Sequence, residues 1–98
     1  MTTNQPTIRE IQQRAAKLCG ISVPLMLSYD RTRRVSRARQ LAMYAARSMT
    51  KASWNDLATE FQRDRKAVRQ AVNVIDWHVW HTPGTNDVLR EIGDWRRA

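Results

Sequence analysis

Apolar residues recur at helical spacing along nearly the whole chain, and no two-residue alternation lasts long enough to make a strand. Thr7 followed by Glu10 has the reciprocal arrangement in which a hydroxyl and a carboxylate each cap the other's backbone amide. The helix they open carries Ile8, Ile11, Ala15 and Leu18 on one face and ends at Gly20, a residue suited to the left-handed conformation. Ser22 caps a short second turn with Pro24 near its start and Leu25 and Leu27 inside it. A mostly cationic loop then runs from Tyr29 to Val35. The spacing predicts a third helix from about Ser36 to Met49, with Ala38, Leu41, Ala42, Ala45 and Met49 buried. Ser53 and Asp56 repeat the capping pattern for a short fourth helix that turns Leu57, Ala58 and Phe61 inward.

After the tight connection Gln62, Arg63 and Asp64, a fifth helix shows the cleanest period in the chain, with Val68, Ala71, Val72, Ile75 and Val79 on its stripe. It is expected to stop before Pro83 and Gly84. A last helix, about residues 86–97, places Val88, Ile92 and Trp95 on one side. The expectation is therefore an all-α bundle of about six helices in one domain spanning residues 1–98. Its core lies at about 7–81, and the C-terminal helix packs back on it or mediates association. Two short-linked helices, the second led by Asp64, Arg65 and Lys66, read as a helix-turn-helix from Trp54 to about His81.

Composition sharpens this picture. A chain of 98 residues with 42% hydrophobic content can pack a small core, which excludes a multidomain enzyme. Its formal net charge is +8, and 14 of its 17 cations are Arg, whose planar fork pairs bidentately with phosphates and guanine edges. From Arg31 to Lys51 there are seven cations and no acid. Such a block is either a solvated helix face or the electrostatic footprint of a nucleic acid. With the fifth-helix stripe buried, Arg65, Lys66, Arg69, Gln70 and Asn73 face outward, and these side chains can grip guanine or adenine edges in a major groove. Asp64 has two available roles, as helix N-cap and as acceptor from cytosine, with capping the better supported.

Residues 31 to 68, RTRRVSRARQLAMYAARSMTKASWNDLATEFQRDRKAV, resemble the C-terminal DNA-binding domain (domain IV) of the bacterial replication initiator DnaA, whose fold is related to the Trp repressor. The specific parts are the basic loop, the run from Arg37 to Met43, and the segment from Met49 to Ser53; a weaker likeness extends from about Ile8 to Trp80. By that resemblance Arg31 enters the minor groove. By the same resemblance Arg33, Arg37, Arg39 and Gln40 lie near the phosphate backbone and the fifth helix reads the major groove; Arg34, Lys51, Ser53 and Trp54 are expected as further phosphate contacts beside them. Where the family opens its recognition helix with Gly-Gly-Arg-Asp-His-Thr-Thr-Val, this chain has Gln62 to Val68, one residue shorter and without either glycine. Arg65 stands in place of the His, and Lys66 and Ala67 in place of the two threonines. The departure falls on the base-reading residues, so the resemblance implies duplex DNA binding through two grooves but does not carry over the family's target sequence.

Other chemistry is sparse. Glycine occurs only at positions 20, 84 and 93, so no Gly-rich phosphate loop and no ATPase module can be built from these residues. His78 and His81 lack further ligands for a metal, Cys19 lacks a catalytic partner, and no cofactor, metal or enzyme activity is expected. The single Cys19, the absence of an apolar leader and the absence of a membrane-length apolar run lead to the expectation of a cytoplasmic, nucleoid-associated protein. Trp77 and Trp80 lie off the buried stripe. Either the last helix covers them with Val88, Ile92 and Trp95, or they form a homodimer or partner interface. The functional expectation is sequence-selective binding of double-stranded DNA in transcriptional regulation. The alternatives are modulation of replication initiation at initiator-like sites and a protein-interaction module that docks an acidic partner.

Overall fold

Alanine decides the centre of the molecule. In a computed structural model that describes residues 6–93, the chain forms α1 (Ile8–Cys19), α2 (Val23–Leu27), α3 (Arg33–Met49), α4 (Trp54–Phe61), α5 (Arg65–His81) and α6 (Thr85–Ile92). Every one of the other five helices packs against α3. A helix enclosed on that many sides must be apolar around most of its circumference, and the run Leu41 to Ala46 is buried at every position. Ala38, Ala42, Ala45 and Ala46 have no exposed surface at all, and their small side chains let neighbouring backbones approach closely. Around this shaft Ile11, Met26, Leu57, Phe61, Val68, Ile75, Leu89 and Ile92 close the core. Truncating Phe61 to Ala would cost about 3–5 kcal/mol by the usual cavity penalty.

Capping chemistry fixes the ends as the sequence implies. The Thr7 hydroxyl accepts from the Glu10 amide at 3.1 Å and the Glu10 carboxylate accepts from the Thr7 amide at 2.9 Å. Ser53 and Asp56 do the same for α4, at 3.1 and 3.0 Å. Gly20 ends α1 at φ 72°.

Several expectations are corrected. The third helix begins at Arg33, three residues before Ser36, so Arg33 and Arg34 sit on its first turn and the loop shortens to residues 28–32. Asp30 is the cause: its carboxylate accepts from both the amide (2.8 Å) and the hydroxyl (2.7 Å) of Thr32 and sets the turn into the helix. Leu18 is 43% exposed, and the inner face of α1 is instead Ile11, Gln12, Ala15 and Ala16. In α2 the residue facing inward is Met26, with Leu25 exposed.

The last helix starts at Thr85 and closes at Ile92, with Gly93 extended; the expected continuation over 94–97 lies outside the described residues. Trp95 lies outside the described residues. Leu89 and Ile92 bury themselves against α1, where the Arg14 guanidinium donates to the Ile92 carbonyl at 3.1 Å. Because its apolar face is turned that way, α6 does not cover Trp77 and Trp80, which remain 56% and 55% exposed.

Candidate nucleic-acid interface

The α4–α5 connection is built from three residues with three different tasks. Gln62 takes the left-handed conformation (φ 56°, ψ 43°) that ends α4. Arg63 turns back toward the loop before α3. Asp64 caps α5, its carboxylate accepting from the Ala67 amide at 2.7 Å. Beyond the cap, Arg65, Lys66, Arg69, Gln70 and Asn73 are all exposed and line one shallow surface together with Asp64. The outward residues expected on the recognition helix therefore do share a face. None of them, Asp64 included, has an ion pair among the described residues.

The basic loop is held from beneath by two guanidinium groups. Arg39 donates through Nε to the Met26 carbonyl at 2.7 Å, and through Nη2 to the carbonyls of Ser28 (2.8 Å) and Asp30 (3.0 Å). Arg63 reaches the same Ser28 carbonyl through Nη2, and through Nη1 donates to the carbonyls of Leu27 (3.3 Å) and Gln62 (3.1 Å). Its guanidinium lies 4.9 Å from the centre of the Tyr29 ring.

Burial, and then the neighbouring Arg63 charge, push the Arg39 guanidinium below its ordinary range, while Asp30 opposes them. The Thr32 hydroxyl and amide, with a smaller contribution from Arg39, hold the Asp30 carboxyl below the usual carboxylate range. The two guanidinium groups meet at the Ser28 carbonyl. Ser36, Gln40, Arg39 and Arg63 line a small cavity of about 150 Å³ between α3 and α5, with the donors to receive an anionic oxygen.

The remaining sequence-derived residues are placed as follows. Arg31 projects from the exposed tip of the loop, and Arg33 and Arg34 are exposed on the next turn. Lys51 is exposed before α4. Ser53, two residues on, has its hydroxyl engaged as the α4 cap. Trp54 is half-buried, with the Arg47 guanidinium 4.2 Å and the Arg69 guanidinium 5.3 Å from the ring centre. Arg37 is not brought to the Arg39 and Arg63 cavity. It lines a separate one of about 360 Å³, with Leu41, Ile75, His78, Pro83 and Val88.

His78 Nδ1 and the Thr82 hydroxyl share a hydrogen bond of 2.6 Å, and His81 Nδ1 bonds the Trp77 carbonyl at 2.8 Å while its ring stacks on that indole at 4.3 Å. Among the described residues no group of three or more His, Cys, Asp or Glu converges as a metal site. Burial pushes the Cys19 thiol above its ordinary range, against a weaker pull from Arg34. Arg63 and Arg47 are the functional side chains that sequence reading missed. Arg63 holds carbonyls some 35 positions away, and no local spacing marks such a partnership.

Among the described residues no helix is long and apolar enough to cross a membrane. The family described as the bacterial DnaA protein helix-turn-helix matches residues 8–75, from the first residue of α1 to the middle of α5. The chain is similar to the chromosomal replication initiator protein DnaA of Wolbachia pipientis wMel, 39% identical over 71 residues, which are 71% of this chain and 15% of that protein. It is also similar to that of Gluconobacter oxydans, 40% identical over 68 residues covering 68% of the chain and 14% of the relative. With the initiator of Magnetococcus marinus the identity is 31% over 87 residues, 88% of the chain and 20% of the relative. The chain thus spans between 14 and 20% of the length of these curated relatives. An all-helical fold with a capped three-residue turn, a basic loop braced against that turn, and a family match over both together show that this chain belongs to the DnaA C-terminal helix-turn-helix family.

Proposed function

We propose that this chain binds double-stranded DNA sequence-selectively and acts in replication control, at sites related to those of the initiator. The observation that carries the reading is the pairing of an exposed Arg65, Lys66, Arg69 and Gln70 surface with a basic loop that Arg63 ties to the same turn. The names of the relatives favour replication over the transcriptional role that the sequence alone suggested. In this reading α5 enters the major groove and Arg31 the minor groove. Arg33, Arg34, Gln40 and Lys51 meet phosphates, and Arg39 works mainly by shaping the loop. Arg37, set apart by its own cavity, serves a flanking phosphate.

The chain acts by binding and not by catalysis. Affinity is expected to fall steeply with salt, by about 0.9 in the logarithmic slope for each phosphate neutralised. Selection from a random duplex library, followed by footprinting of the enriched sequence in origin and promoter fragments, tests the proposal. Protection of origin fragments is expected. Protection confined to promoters would return the role to transcription, and failure to retard any duplex at low salt would remove DNA binding altogether.

A further inference from the structure

Trp54 stands at the meeting point of three helices. It is the first residue of α4, directly after the Ser53 cap, and its indole carries the guanidinium of Arg47 from the last turns of α3 and that of Arg69 from the second turn of α5. Arg47 is itself fixed, because its Nη1 donates to the Ala52 carbonyl at 2.9 Å. The ring is therefore flanked on one side of the junction by a cation that a hydrogen bond tethers to the backbone before α4. Arg69 has no ion pair among the described residues, and the indole is the directional partner the structure gives it. Arg65 and Lys66, one turn earlier on the same surface, have no such partner.

We infer that Trp54 is a positioning residue for recognition: by stacking under the Arg69 guanidinium it sets which base pair Arg69 addresses, so that discrimination, more than affinity, depends on this ring. The inference rests on the DNA-binding reading above. It differs from the phosphate contact expected from the sequence for Trp54, because a phosphate contact carries no sequence information. An arginine with four rotatable bonds left to itself samples many directions, whereas one resting on an indole face meets the groove with its fork already aimed.

The test uses the whole chain, the duplex selected from the library, and that duplex altered one base pair at a time. Trp54→Leu is expected to reduce the preference at a single base pair by about 2- to 5-fold, the size of an exposed cation–π contact, while leaving the affinity for an unrelated duplex unchanged. Arg69→Ala should erase the preference at that same pair, and the double variant should lose nothing more. Combined with Arg65→Ala, by contrast, the losses should multiply. In the free protein the Arg69 Nε–H resonance should lose its ring-current shift in Trp54→Leu.

Trp54→Phe, which keeps an aromatic face and the core contact, should retain most of the preference and provides the same cycle if the leucine variant does not fold. Equal weakening on every duplex, or multiplicative losses with Arg69→Ala, would overturn the inference and leave DNA binding intact. A library that yields no selected duplex would overturn both.

Discussion

The two regions proposed to face DNA are organised in opposite ways. The loop of residues 28–32 is rigid by construction. Its Ser28 and Asp30 carbonyls are taken by Arg39 and Arg63, its Asp30 side chain closes the turn onto Thr32, and Arg31 is presented at its tip, exposed like Tyr29. The outward face of α5 has a rigid backbone and unrestrained side chains, with Arg69 alone resting on a platform. Shape is built into the first region and residue identity into the second. Change in the loop should therefore act on every duplex alike, and change on the helix should act on particular base pairs.

The largest expected effect comes from breaking the loop. Arg39→Ala leaves the Met26 and Asp30 carbonyls without their charged donor and the Ser28 carbonyl with Arg63 alone, and it should destabilise the fold by about 2–3 kcal/mol and weaken all duplexes together, as measured by thermal melts and by binding to selected and random DNA. Arg39→Lys should not rescue it, because an ammonium cannot reproduce the fork. On the helix, Arg65→Ala should relax preference at one base pair by about 1–3 kcal/mol with no change in melting temperature. Uniform weakening would instead make Arg65 a backbone contact.

Gln62 sharpens the comparison from the turn between the two regions. Its left-handed backbone suits glycine, so Gln62→Gly should stabilise the protein by about 0.5–1 kcal/mol in denaturant titrations without altering which duplex is selected. The smallest effect is a pH dependence. The Asp30 carboxyl titrates lower in the folded protein than in the unfolded chain, so its contribution is present above the unfolded carboxylate range and is lost as pH falls through the folded value. Loosening of the Thr32 amide on acidification, followed by NMR, should accompany loss of loop-dependent binding.

Legibility in the sequence followed the range of the interaction. The caps at Thr7, Ser53 and Asp64 and the stripe from Val68 to Val79 were readable because each is a relation between residues three or four apart. The start of α3 was not. Arg33 and Arg34 carry no apolar period, and the signal was an aspartate that binds two residues on. Of the two readings of Trp77 and Trp80, cover by α6 fails among the described residues, because Ile92 is buried as its spacing implies but its buried neighbour is Leu89, and the two turn α6 toward α1. Arg39 looked like a surface cation. Its role depends on carbonyls between 9 and 13 positions back along the chain, and nothing local to the residue announces them.

The enclosure of α3 has a dynamic consequence. With all five other helices resting on one alanine-lined shaft, none can detach without exposing it, and among the described residues no helix is a separate cooperative unit. Amide protons between Leu41 and Ala46 should therefore exchange with solvent only when the whole chain opens. Their protection should report the global free energy of unfolding.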